Sequence, residues 1–515
     1  MSYPYPFRNV LRPALYLLFM LVLAGCAGTR ELKRTFIAPE NLASLDGRPG
    51  FLKAHLHNGQ VVVFEAWSTD TAPGAVTGQG VRLDVNRDTL AQGLLTIPVE
   101  SVALFESNVT ATSGPTVAMA LITGASVALT VFCLSNTKAC FGSCPTFYVP
   151  GPDSLLLQAE GFSASIAPAL EARDVDALYR AKPAGTAFDV VMKNEALETH
   201  VVRYVNVLAV PHAPGRRVVA AGDSFREVAW LQPPQTCRAP EGDCRAAVLD
   251  LDAGERFSPA DSTDLAAKEV IDLAFEPGAE GPYGLALGVR QTLLSTFILY
   301  QALAYMGDEA GAWLARLERG ELKGRGLADI LGGIEVLVPD GEGAWQLAGV
   351  VDEHGPLATD IHLVSLPDLP PGTRRVRLRL TKGNWRLDYI ALAGLGASVK
   401  PLRLPPAAVL RDGVPDAAAL TLLRDTTAVL STLPGDAYTL QYELPEAYET
   451  YELFLESQGY YLEWIRSEWL REKDGTRLAK LLLNPSDVLR DLAPAFKKIE
   501  ADMEGAFWRS RYVEH

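Results

Sequence analysis

The most constraining feature of the chain is a period of two. In Arg374-Arg375-Val376-Arg377-Leu378-Arg379-Leu380 apolar residues alternate with arginines. Only an extended strand places Val376, Leu378 and Leu380 on one face and Arg375, Arg377 and Arg379 on the other. Comparable alternating or continuous apolar runs recur along the sequence. FLKAHL and VVVFEAW flank His57-Asn58-Gly59-Gln60, a strong hairpin signal. VRLDV, LLTIPVESVALFES, AFDVVM, THVVRYVNVLAV and DAYTLQYELP read as further strands, and GIEVLVPD and AWQLAGVV are joined by Gly341-Glu342-Gly343. At 515 residues and 48% hydrophobic the chain can bury several cores. The expected class is α+β, mainly β, with several antiparallel sheet or sandwich modules.

Three stretches break the period. Residues 116–134 form an uncharged run of 19, long enough for a membrane span but diluted by Gly, Ser, Thr and Ala. They read as an apolar helix, buried or interface-lying, with a span or buried strands as the alternatives and oligomerisation as one use. Residues 284–318 read as a helical pair broken at Gly307, with Arg290 inside the first helix. Near the C-terminus Asn484 and Pro485 mark a helix start, and Val488, Leu489, Leu492, Phe496, Ile499, Met503 and Phe507 recur at helical spacing.

The N-terminus gives the compartment. Arg8 and Arg12 precede LYLLFMLVLAG, and Leu23-Ala24-Gly25-Cys26 follows. This resembles the lipobox of bacterial lipoproteins. The resemblance implies cleavage before Cys26, a diacylglycerol on its thiol and an envelope location. Ala27 stands where an aspartate would retain the protein in the inner membrane, so the resemblance points to the outer membrane. Removing Arg8 and Arg12 with the leader takes the formal charge from −15 to −17. That argues against nucleic acid, whose binding needs clustered cations, and against broad adhesion to anionic lipid. The implied membrane partner is reached through the acyl chains.

The expected organisation is a signal peptide at 1–25, a lipidated tether at 26–50, a small antiparallel β module at 51–110 and the apolar segment at 111–145. A β-rich domain at 146–283, the helical pair at 284–320, a sandwich-like module at 330–398 and an α+β region at 400–515 follow. Residues 230–245 read as a loop excursion. Gly383-Asn384-Trp385-Arg386-Leu387-Asp388-Tyr389-Ile390-Ala391-Leu392 resembles the last strand of galactose-binding-like carbohydrate modules, a loose motif covering residues 330–395.

Candidate chemistry is sparse. No zincin, nucleophile-elbow, phosphate-loop or dinucleotide motif occurs, so no catalytic residue, metal ligand or cofactor is assigned. Asp84–Asp88 opens like a calcium loop but lacks its glycine and final glutamate, and Asp250 and Asp252 are no better supported. His55 and His57 share a strand face without a third ligand. Glu195, Glu198 and His200 could serve acid–base chemistry but read as a solvated turn. Aromatic residues Tyr460, Tyr461, Trp464 and Trp469 read as core. In an oxidising compartment Cys237 can pair with Cys244, and Cys140 with Cys144, leaving Cys133 over.

The best lead is basic. Arg375, Arg377 and Arg379, followed by Lys382, Trp385 and Arg386, concentrate cations on an acidic chain. Such a stripe fits an anionic glycan or an envelope protein, or the charged face of an edge strand. The first functional expectation is a non-catalytic envelope lipoprotein that binds or scaffolds. The alternatives are an envelope hydrolase near His200 or His55 and a membrane-associated oligomeric assembly component.

Overall fold

The computed structural model describes residues 30–112 and 144–510 apart from short interruptions, the longest at 308–329 and 464–471. Cys26, Cys133, Cys140, His57, Asp84–Asp88, Trp464, Trp469, the apolar run 116–134 and the second helix expected after Gly307 lie outside the described residues. Contacts divide the chain into two units, residues 1–124 and 125–515. The protein is mainly β, built from several antiparallel sheets with few helices among the described residues.

The first unit is a six-stranded antiparallel sheet. Its order is Arg30–Ile37, Val102–Thr112, Leu52–Leu56, Val61–Ser68, Ala75–Leu83, Thr89–Pro98. Leu52, Ala54, Val62, Phe64, Val76 and Phe105 are fully buried on one face. The strands on either side of His57-Asn58-Gly59 pair with His55 opposite Val61, so the expected hairpin forms.

The second unit stacks four sheets and a helical layer. One sandwich packs two sheets over Phe147, Val190, Val202, Val205, Leu440 and Leu455. The strand Glu198–Pro211 lies in it and is apolar on both faces: Val207 and Ala209 face this core, while Leu208 and Val210 face a second one. Both faces being covered explains the near-continuous apolar run.

A second sandwich uses strands from residues 217–399. One of its sheets closes on itself. Ser224–Gln232 pairs with both Arg217–Ala221 and Trp385–Val399, which pairs with Tyr283–Gln291 and through it Asp360–Ser365. Asp360–Ser365 returns to Arg217–Ala221 through a parallel contact of Ala220 with His362. Val219, Val228, Ala286, Leu363 and Ala393 fill the small barrel. Its outer side packs Leu285, Leu287, Val289, Leu387 and Leu392 against Ile271, Val336, Val376 and Leu378 of the facing sheet.

That geometry corrects the helical reading from residue 284. Tyr283–Gln291 is a strand, with Ala286 turned into the barrel and its neighbours Leu285 and Leu287 into the sandwich. A strand buried on both sides shows no alternation, so it mimics a buried helix in sequence. The helix, α1, starts only at Leu294 and ends at Met306, where Gly307 takes φ 56°. The excursion expected at 230–245 is likewise ordered. Thr236–Ala239 and Gly242–Asp243 form a hairpin closed by a Cys237–Cys244 disulfide.

Three further α-helices occur among the described residues: α2 (Ala417–Arg424), α3 (Gly475–Leu483) and α4 (Pro485–Ser510). Asp474 caps α3 by accepting from the Thr476 and Arg477 amides. All seven apolar positions expected on the last helix are buried, packing with α1 and α3.

Just before α3, burial pushes the Glu472 carboxyl up to about 7, opposed by Arg477. The folded state therefore holds its proton where the unfolded chain, with an ordinary carboxyl near 4.5, has lost it. This group's contribution to stability is full below pH 4.5 and is lost as pH rises through about 7. Glu472→Gln should melt with wild type at low pH and above it once the pH exceeds 7. Parallel pH series of thermal melts read the difference.

Candidate functional site

The arginine stripe lies on the outer face of the open sheet of the second sandwich. Val376, Leu378 and Leu380 are 0% exposed beneath it, so strand parity turns Arg375, Arg377 and Arg379 outward. Directly opposed residues of antiparallel strands share a face. The register therefore builds a row across the sheet: Asp243, Arg238, Asp272, Arg377, Leu337, Leu347. Charge alternates along its first four members and gives way to apolar side chains at the edge.

Neighbouring rows complete the face. Arg377 donates to both oxygens of Asp272, at 2.8 and 3.1 Å. Arg379 donates to Glu335, and this contact raises the pKa of its guanidinium. Trp345 carries the Arg377 guanidinium 4.2 Å from its ring centre and that of Arg375 at 5.7 Å. Leu347 is 57% exposed beside it. At the far end Gln235, Thr236, Arg238, Ala239, Gly242 and Asp243 line a pocket of about 400 Å³. The disulfide fixes the hairpin that supplies those residues.

Two residues expected with the stripe do not join it. Trp385 is 1% exposed, inside the sandwich core. Arg386 belongs to the opposite sheet, stacks on Phe257 at 4.4 Å and pairs with Glu255 and Glu504. The turn at Gly383 is the reason. It reverses the chain at φ 76°, with a Cβ position 2.5 Å from the Ala260 Cα, and sends the next strand into the facing sheet. Arg290 joins the same group, donating to Glu255 and Glu504, which docks α4 onto the sandwich.

The carboxylates near His200 are not solvated, which corrects the turn reading. Glu198 and His200 are 0% exposed, with His200 Nε2 2.7 Å from Glu198 Oε1. Glu195 accepts from Tyr148 Oη at 2.5 Å and Thr146 Oγ1 at 2.9 Å. Cys144 beside them is a free, buried thiol, so it is not in the disulfide with Cys140 expected for it. Burial, then the charges of Glu160 and Glu198, push that thiol up. A neutral thiol is a poor nucleophile, and the group reads as polar filling of a sheet interior. In the first unit His55 is also 0% exposed and contacts Glu106 at 3.1 Å. Asp250 and Asp252 lie in the turn before Arg256, where Asp252 Oδ1 accepts from the Gly254 amide.

Sequence reasoning missed Trp345, Asp272, Glu335, Arg238 and Asp243. The alternation of KEVIDLA turns Asp272 outward once Ile271 and Leu273 are buried. Nothing local says that its strand runs beside the arginines.

No protein-family model matches the chain, and no curated protein matches it. Among the described residues no helix is long and apolar enough to cross a membrane, and no group of three or more His, Cys, Asp or Glu could hold a metal ion.

Proposed function

We propose that the protein is a lipid-anchored envelope lipoprotein that binds a surface glycan through the outer face just described. The observation that carries this reading is the continuous row from the pocket at Arg238 to the exposed edge at Leu347. Paired carboxylates and guanidinia offer adjacent acceptors and donors that match vicinal sugar hydroxyls. Trp345 and Leu347 offer apolar surface for the C–H side of a sugar ring. On the face, Arg238, Arg375, Arg377 and Arg379 outnumber Asp243, Asp272 and Glu335, which favours an acidic saccharide on an otherwise acidic chain. The anchor is Cys26, supported by its lipobox sequence.

Arg375 and Arg379 are exposed, so the double variant Arg375→Glu/Arg379→Glu keeps the core intact. Its affinity for purified anionic envelope polysaccharide should fall roughly tenfold or more in titration calorimetry, with thermal unfolding close to wild type. Unchanged affinity removes the face from the account, and capture of an envelope protein instead of polysaccharide by the wild type replaces the glycan reading.

A further inference from the structure

We infer that the edge strand Thr89–Pro98 of the first unit pairs antiparallel with the same strand of a second copy of this chain, about a two-fold axis at Leu94. The strand ends its sheet, with only Ala75–Leu83 beside it. Its sequence, TLAQGLLTIP, carries no charge over ten residues. An open edge of that length is a template for another strand, and charged residues are the usual guard against it. The opposite edge strand, Arg30–Ile37, has that guard in Arg30, Glu31, Lys33 and Arg34. Leu94 is 70% exposed and Leu90 51%.

The ladder's parity says which backbone groups are open. The Val99 amide donates to the Gly74 carbonyl at 2.8 Å. From there the register runs unbroken to Arg82 opposite Ala91. Odd-numbered residues therefore bond to the neighbouring strand, and Gln92, Leu94 and Thr96 direct their N–H and C=O groups outward. The side chains of these three are also exposed, while Leu95 and Ile97 pack with the core. Read in reverse, the row is complementary to itself. With Leu94 opposite Leu94 of the second copy, Gln92 stands opposite Thr96 and Thr96 opposite Gln92, so each amide meets a hydroxyl. Thr96 Oγ1 is 3.0 Å from Thr77 Oγ1, which orients it along the same face. Pro98, which lacks an N–H, falls outside the three pairs. Such a contact is isologous and closes as a dimer. Two copies with formal charge −15 repel one another, and an uncharged strand lets them meet with the least repulsion.

The test is sedimentation of the purified full chain over a concentration series. The wild type is expected to dimerise, and Leu94→Lys and Leu94→Glu should each weaken the dimer roughly tenfold or more, because like charges then face each other across the axis. Thermal unfolding should stay close to wild type, since Leu94 is 70% exposed. An equimolar mixture of the two variants should recover the dimer, a result that only a meeting of residue 94 with its counterpart produces. Leu94→Cys should cross-link two chains under mild oxidation, because directly opposed, hydrogen-bonded residues lie about 5.5 Å apart, within disulfide reach. A wild type that stays monomeric up to about 100 μM overturns the inference, and so does a dimer that survives either charged variant or a mixture that fails to recover. Exchange protection at 92–96 that is present in the native membranes and absent from the purified chain assigns the edge to another protein's strand, and also overturns self-pairing.

Discussion

Glu269→Ala is expected to destabilise the second unit by about 3–5 kcal/mol, because it leaves a buried guanidinium without its main counter-charge. Arg256 is 4% exposed and sits on a strand paired with Leu387 in the closed sheet. It reaches across the sandwich to Glu269, at 2.6 and 2.8 Å, on the open sheet. Glu241 adds contacts at 2.8 and 2.9 Å, but its side chain is half exposed. Ser258 Oγ also donates to Glu269, at 2.6 Å. Burial opposes the Arg256 charge, yet the hydrogen bonds to Glu269 and Glu241 hold it well above its ordinary range. Denaturant unfolding measures the loss, and Glu269→Gln should lie between wild type and Ala by keeping hydrogen bonds without the charge. A loss under about 1 kcal/mol for Ala, the size of a surface pair, would mean that Arg256 escapes to water and that the ion pair does not tie the sheets together.

Trp385→Ala should also destabilise the protein, by about 3–5 kcal/mol, from lost burial and the cavity left behind. Trp385 is among the largest fully buried side chains, packed between the sheets with Leu380, Leu387 and Val289 in the same cluster. The matching change on the outer face is Trp345→Ala. It removes a partly exposed ring that touches Arg375 and Arg377, and surface substitutions of this kind stay within about 0.5 kcal/mol. Under the binding-face reading the two variants separate cleanly: the first loses stability, the second loses glycan affinity. Chemical denaturation and calorimetry on both proteins check the pair.

Local signals carry the fold as far as single elements. The alternation at 375–380, the turn between 339 and 345 and the seven apolar positions of α4 each specify their own conformation, and each is found as read. Sheet partners are a different matter. Asp272 meets Arg377 across 105 residues, and Arg256 meets Glu269 only because two sheets face each other. Trp385 reads as part of a basic, aromatic patch because it follows Arg379 and Lys382 closely in sequence. The arginine strand ends at Thr381, and the turn through Gly383 then places the tryptophan in the core. The acids and histidine at 195–200 read as solvated because charge usually is. They are buried because neighbouring strands supply Tyr148, Thr146 and a histidine–carboxylate contact to satisfy them.

Hydrogen–deuterium exchange with and without the anionic envelope polysaccharide tests the central claim most directly. The account predicts slowed exchange on this face, strongest at the pocket hairpin at 235–243 and the edge hairpin at 340–350, the two ends of the row. Slowing only in segments off this face, or none at saturating polysaccharide, would contradict it.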